Sequence, residues 1–314
     1  MTGQSRKLTS PDDSTRPGSG NGVAPTSPDH PGPAVSRHQL GARLREYRQD
    51  RGFRLEDAAA GLGVAPSTLS RIETGKAPAR IAYLDVLINL YRIDNPVEKR
   101  QLTDLAQHGR GSDWHAPYRD LLPAGAGPYL TLEAEADSIR ILATQAIPLL
   151  LATPAYATAV CQASQPPPAR HQIRDLGALI ARRQELADTT GLTLHLILDE
   201  AALLRPVGDT QIQAGQLAHL NERIASPLIT IQVLPIATAW PALITPFSLL
   251  TFANSVPPAG CTVTAAGQHL ITRRETDIHA MDKAFAALSK AALPAEDSTQ
   301  LLADLAVHAA VSQV

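Results

Sequence analysis

One short run of the chain concentrates side chains suited to reading a polar surface. In GVAPSTLSRIETGK (63–76), Ser67, Thr68 and Ser70 offer short hydroxyls, Arg71 a long planar fork and Lys76 a compact cation. Pro66 suits the first position of a helix, and Gly63 and Gly75 punctuate the run at either end. A short, capped helix with little bulk at its N-terminal face fits the major groove of duplex DNA. A guanidinium there can donate twice to guanine O6 and N7, which discriminates against the wrong base by about 1–3 kcal/mol. Hydroxyls and lysines more often hold phosphate, which positions without specifying.

Such a helix needs a scaffold, and the flanking sequence supplies one. LGARLREYRQ puts Leu40, Leu44 and Tyr47 at helical spacing, with Gly52 as its stop. LEDAAAGL (55–62), PSTLSRIE (66–73), RIAYLDVLINLYRI (80–93) and PVEKRQLTDLAQHG (96–109) read as further short helices. Two of them joined by a glycine turn, inside a small bundle, are the requirement of a helix-turn-helix. Charge agrees. Between Arg37 and Arg80 there are nine Lys/Arg and five Asp/Glu, whereas the 314-residue chain as a whole has a net charge of −2. A basic module therefore sits on an acidic body.

The run LRxYRxxRGxxLEDAAAGLGVAPSTLSRIETGK resembles the Cro and phage-repressor type of helix-turn-helix, the XRE family. The features that match are Ala59, Gly63, Val64, Ser70, Ile72, Glu73 and Gly75. The resemblance implies a structural ion pair between Arg48 and Glu73. It places Pro66, Ser67 and Arg71 at base-facing positions and makes Thr68, Arg43 and Lys76 candidates for phosphate contact. Leu55 stands where the family often has glutamine, and Pro66 and Ser67 replace glutamines that often begin the recognition helix. Adenine readout by amide side chains is accordingly not implied.

Residues 1–35 are mostly Ser, Thr, Gly, Pro, Asp and Asn, a composition expected of a disordered tail. Residues 36–110 are assigned to the reader. Residues 113–293 read as a mixed α/β domain for an effector, partner or dimerisation role, and 294–314 as a C-terminal helical tail. The expected class is thus multidomain, α then α/β. Helices are predicted at 131–143, 154–162, 171–188, DEAALLR, 210–225 and 275–293, and strands at 192–198, 229–235, 247–252, 261–266 and 269–272. The apolar stretch 139–160 contains Arg140, Gln145 and two prolines, so it reads as buried in protein, not lipid. Cys161 and Cys261 lack metal-type spacing, and neither a metal nor a cofactor is expected.

From DWHAPYRDLLPAGAGPYLTLEAEADSIRILATQAIPLLLATPAYATAV through RRQEL, LHLILDEAALLRPVG, ITIQVLP and FSLLTF, the body is similar to actinobacterial XRE-type regulators. Their C-terminal domain is of unknown function. Those regulators are described as antitoxin-like and are often encoded beside a small partner protein. The two widely spaced cysteines favour a reducing cytoplasm, at the nucleoid, and a homodimer, duplex DNA and a small protein or ligand are the expected partners. PLLLAT (148–153) stands where that family usually has PGLLQT. Glu133, Arg140, Asp199, Glu200 and Arg205 are the candidate partner or ligand residues. Glu133, Asp137 and Arg140 would share one helical face, and Asp199, Glu200 and Arg205 flank the exit of a buried strand. An alternative gives the C-terminal domain protein interaction as its main work. A remoter one is a degenerate phosphodiesterase, since the order of elements loosely resembles half of a phospholipase-D-like fold. That chemistry needs His-x-Lys, but His195 and His269 are each followed by Leu-Ile and His279 by Ala-Met. With no HExxH, P-loop or GxSxG either, no enzyme is expected.

Overall fold

The computed structural model describes residues 32–110, 114–163, 168–239, 245–253 and 256–311. Most of the segment expected to be a disordered tail lies outside these.

Five helices form the first unit: α1 (Pro33–Asp50), α2 (Leu55–Leu62), α3 (Pro66–Glu73), α4 (Ile81–Leu90) and α5 (Pro96–His108). Their shared core is built from Leu40, Leu44, Ala58, Leu69, Leu84, Leu87 and Leu102. Local chemistry sets the boundaries. Prolines occupy the first turns of α1, α3 and α5, where a missing N–H costs nothing, and Asn95 caps α5 by accepting from Val97 N. Between α2 and α3, Gly63 adopts φ 70°, a left-handed turn that side chains with a Cβ enter only with strain.

The rest of the chain is a six-stranded mixed sheet between helical layers, which agrees with the expected class. In chain order the elements are α6 (Ala126–Glu135), β1 (Ser138–Ala143), α7 (Pro154–Gln162), α8 (Arg170–Thr190) and β2 (Thr193–Asp199). Then come α9 (Glu200–Leu204), α10 (Thr210–Ile224), β3 (Ile229–Leu234), β4 (Phe247–Thr251), β5 (Ala259–Val263), β6 (His269–Thr272), α11 (Glu275–Ala291) and α12 (Ala295–Val311). The strand order is β3-β2-β1-β4-β5-β6. β1, β2 and β3 run parallel through helical crossovers, and β4, β5 and β6 continue from β1 as an antiparallel meander. One face carries Ile139, Leu194, Leu196, Ile231 and Leu250 against α6, α7, α8 and α10. The other carries Leu142, Ile197, Phe247 and Leu249 against Phe285 and Leu288 of α11.

The helix expected at 131–143 is corrected. α6 stops at Glu135, and 138–143 is β1, a central strand of the sheet. The two neighbouring strands decide this. Asp137 N donates to Thr251 O and Asp137 O accepts from Thr193 N, so the chain is caught between β4 and β2 before a further helical turn can form. Glu133 and Arg140 therefore do not share a helix face.

α1 begins at Pro33, inside the segment assigned to the tail, because Ala34 belongs to the core of the α/β unit. At the other end, α12 packs on α10 and β3, with Leu302 and Ser298 fully buried. Ser298 Oγ accepts from Val233 N at 2.9 Å and Leu293 N donates to Val233 O, which covers the open edge of β3.

A buried ion pair ties α6 to α8. The Arg183 guanidinium donates twice to the Glu133 carboxylate, at 2.7 Å each, with side-chain exposures of 14% and 4%. Removing one partner strands the other charge in the interior. Arg183→Met is expected to lower the unfolding free energy by about 3–5 kcal/mol, and Arg183→Met with Glu133→Leu to regain most of it, measured by urea denaturation.

Candidate nucleic-acid interface

α3 is the centre of the site, and its two sides have different work. Leu69 and Ile72 are buried in the bundle core, and Glu73 is buried beneath α1. Pro66, Ser67 and Arg71 are exposed, and Thr68 and Ser70 are half-buried. Ser67 and Arg71 make no side-chain hydrogen bond to any described residue, so their donors are available to a ligand. The carbonyl of Arg71 accepts from Lys76 N at 2.8 Å and from Ala77 N at 3.1 Å, closing the C-terminal end of the helix. That closure leaves the Lys76 side chain exposed just past α3.

The orientation of α3 is fixed from below. Arg48 Nε and Nη2 donate to Glu73 at 2.7 and 3.0 Å, and Arg48 Nη1 donates to Phe53 O at 2.9 Å. One guanidinium thus ties α1, the turn after it and the end of the recognition helix. Gly41 lets the helices approach, since a Cβ there would run into the Ile72 carbonyl. The Glu73 hydrogen bond raises the Arg48 guanidinium above its ordinary pKa against the opposing effect of burial.

The structure separates one residue from the rest. Gly41 and Arg48 mark the side of α1 that meets α3, and at 100° per residue Arg43 points almost opposite. Its Nη1 donates to Gln101 Oε1 of α5 at 3.1 Å. Arg45, exposed and on the Gly41–Arg48 side, is the α1 cation nearer to α3, and the helical period was the signal that locates it.

His38 lies where the end of α3 meets the body. Its backbone backs onto Gly75, and it shares a hydrogen bond with the Thr74 backbone. Burial, helped by the Arg273 guanidinium, lowers the His38 pKa to about 4 against that hydrogen bond, which raises it. Beside it the two units are joined: Ala34 N and Val35 N donate to Glu135 Oε1 and Oε2 at 2.7 and 2.6 Å.

The other candidate polar residues do not converge. Glu133 is consumed by Arg183. Arg140 crosses to the opposite sheet face, where it pairs with Asp282 at 2.7 Å and lies over the Phe285 ring. Asp199 caps α9 through Ala201 N, and Glu200 accepts from Ile236 N at 2.9 Å. Arg205 is exposed at the end of that turn. His195 shares a hydrogen bond with Gln232 at 2.9 Å and stands edge-on to Phe285. Cys161 and Cys261 are buried free thiols, and burial, with Glu133 nearby, pushes Cys261 up to about 12.

Two family models match these units. A helix-turn-helix domain matches residues 39–102, which span α2 and α3 and nearly all of the bundle. The model described as "Domain of unknown function (DUF5753)" matches residues 127–304, more than half of the chain. The chain belongs to this family. No curated protein and no solved structure matches it. The family span runs from α6 into α12, so both helices belong to the same unit as the sheet. No helix among the described residues is long and apolar enough to cross a membrane.

Because His38 titrates well below its unfolded value of 6.5, the unfolded chain binds the extra proton between pH 6.5 and about 4. Stability must therefore fall as pH drops through that window. His38→Gln is expected to flatten that part of the decline, read as the difference in urea midpoints between pH 7.5 and pH 5.

Proposed function

We propose that the chain is a sequence-specific, DNA-binding transcriptional regulator of the XRE type. The observation that carries this is the division of α3: a buried side clamped by Arg48–Glu73, and an exposed side on which Ser67 and Arg71 are uncommitted. Arg71 reads a guanine, Pro66 and Ser67 touch neighbouring base edges, and Thr68, Ser70 and Lys76 hold phosphates. Two such readers on a dimer address half-sites about one helical turn apart. The work is cytoplasmic and involves no catalysis.

The body is proposed to tune the reader through a partner, in the manner of an antitoxin. Leu204 and Ile236 are 50% and 61% exposed after the paired strands β2 and β3, and Arg205 is exposed beside Leu204. Apolar side chains rimmed by charge at strand exits suit a small protein. Leu204→Glu with Ile236→Glu is expected to abolish co-purification of a small protein partner that the unaltered chain retains, while leaving DNA affinity of the free regulator unchanged. Retained co-purification would remove this surface from consideration.

Selection of binding sites from a random duplex library tests the DNA reading directly. An enriched inverted repeat is expected, with affinity falling steeply with salt. Arg71→Ala is expected to relax preference at one base pair by about 1–3 kcal/mol, and Lys76→Ala to weaken all sequences alike and reduce the salt slope by about one. Equal weakening on every sequence by Arg71→Ala would make Arg71 a phosphate contact.

A further inference from the structure

A cavity of about 380 Å³, broadly open to solvent, lies at the carboxyl end of β1. Its floor is a row of three side chains across neighbouring strands, Ile141, Ser248 and Cys261. The segment 144–149 and Val160 of α7 line it as well. That segment continues into a stretch whose backbone is held firmly. Gln184 Nε2 donates to the carbonyls of Leu149 and Ala152, both at 2.8 Å, and the buried Gln216 accepts from Thr153 N and donates to Leu151 O. These bonds anchor the wall at its Leu149 end.

Among the described residues the lining carries no charged side chain; its polar groups are Thr144, Gln145, Ser248 and the Cys261 thiol. An ionised ligand would find no oppositely charged partner in this lining, whereas apolar surface is welcome. The volume lies in the range of small-molecule sites, and the carboxyl end of a parallel strand is where α/β sheets commonly hold ligands.

The floor is also connected to the reader. Tyr129 Oη of α6 lies 3.5 Å from Ser248 Oγ. One turn further along the same ten-residue helix, Glu133 is locked to Arg183, and the last residue, Glu135, holds the first two amides of α1. A short helix therefore runs from beside the cavity floor to the clamp on the reader. Both amides are held in the structure, and their release would be the alternative state of a switch.

We propose that this cavity binds a small, neutral, largely apolar ligand and that α6 carries its occupancy to the N-terminus of α1. Occupancy that displaces Ser248 moves Tyr129, shifts α6 and alters the grip of Glu135. Only the final output, a change in DNA affinity, rests on the function proposed above; ligand binding and the change at α1 do not.

The test uses the full chain and N-phenyl-1-naphthylamine, a neutral apolar fluorophore. Saturable one-to-one binding is expected, weakened at least tenfold by Ala146→Trp, which fills the mouth, and by Val263→Trp at the rim. Hydrogen exchange of the amides at 34–36 is expected to change severalfold with the probe. Tyr129→Phe should keep probe binding and lose that change. Binding that is absent, or equal in the wild type and both tryptophan variants, overturns the site. Probe binding that leaves residues 34–36 unaltered overturns the coupling. If exchange responds to the probe but no duplex binds with or without it, the inference stands and the DNA-reading function fails.

Discussion

The arrangement of the whole chain depends on one carboxylate in the path of one helix. Glu135, the last residue of α6, stands where a capping side chain would stand at the start of α1. The first amides of any helix lack intrahelical partners, and the aligned peptide dipoles make that end attractive to negative charge. α1 has no capping side chain of its own: its N-cap is Gly32, and a Cβ there would run into Glu135. The cap is supplied from the other unit instead. This turns a local requirement of helix chemistry into a long-range bond, about a hundred residues apart in sequence. The reader and the body then share α1, because Ala34 lies in the core of one and Leu40 and Leu44 in the core of the other.

The same chemistry recurs at two deeper places. Arg48–Glu73 fixes the recognition helix to α1, and Arg183–Glu133 fixes α6 to α8, each through two N–H···O bonds from a fork onto a carboxylate. Bidentate geometry specifies orientation as well as proximity. The two pairs therefore work less as sources of net stability than as registers that set helix angles. Between them, the Glu135 clamp joins the two registered bodies. His38 and Arg273 occupy the same junction, next to Thr74 and Gly75 at the end of α3.

The reader was legible in the sequence almost to the residue, because its signals are local. Proline at the first turns, glycine at left-handed turns and leucine at helical spacing report on neighbours only a few positions away. The resemblance to the XRE-type helix-turn-helix implied the Arg48–Glu73 pair, and the structure forms it. The charge of Arg43 was legible, but its direction around α1, away from α3, follows from which face packs inward. In the body, five strands and most helices were legible from apolar runs and turn residues. β1 was not: SIRILA follows a helix with only two residues between, and its short apolar pattern serves a helix or a strand equally well.

By itself, the sequence determined the two-part organisation, the helix-turn-helix and the polar side chains on the free face of α3. Those follow from period, caps and composition, all of which act within a few residues. Only the tertiary structure decided that β1 is a central strand, that Glu133 belongs to Arg183 and Arg140 to Asp282, and that Glu135 grips α1. These are pairings between residues about 50 to 140 positions apart. Nothing in local propensity selects a partner at that distance; the sheet does so, by bringing β2 and β4 to either side of β1 and so setting which side chains meet across it.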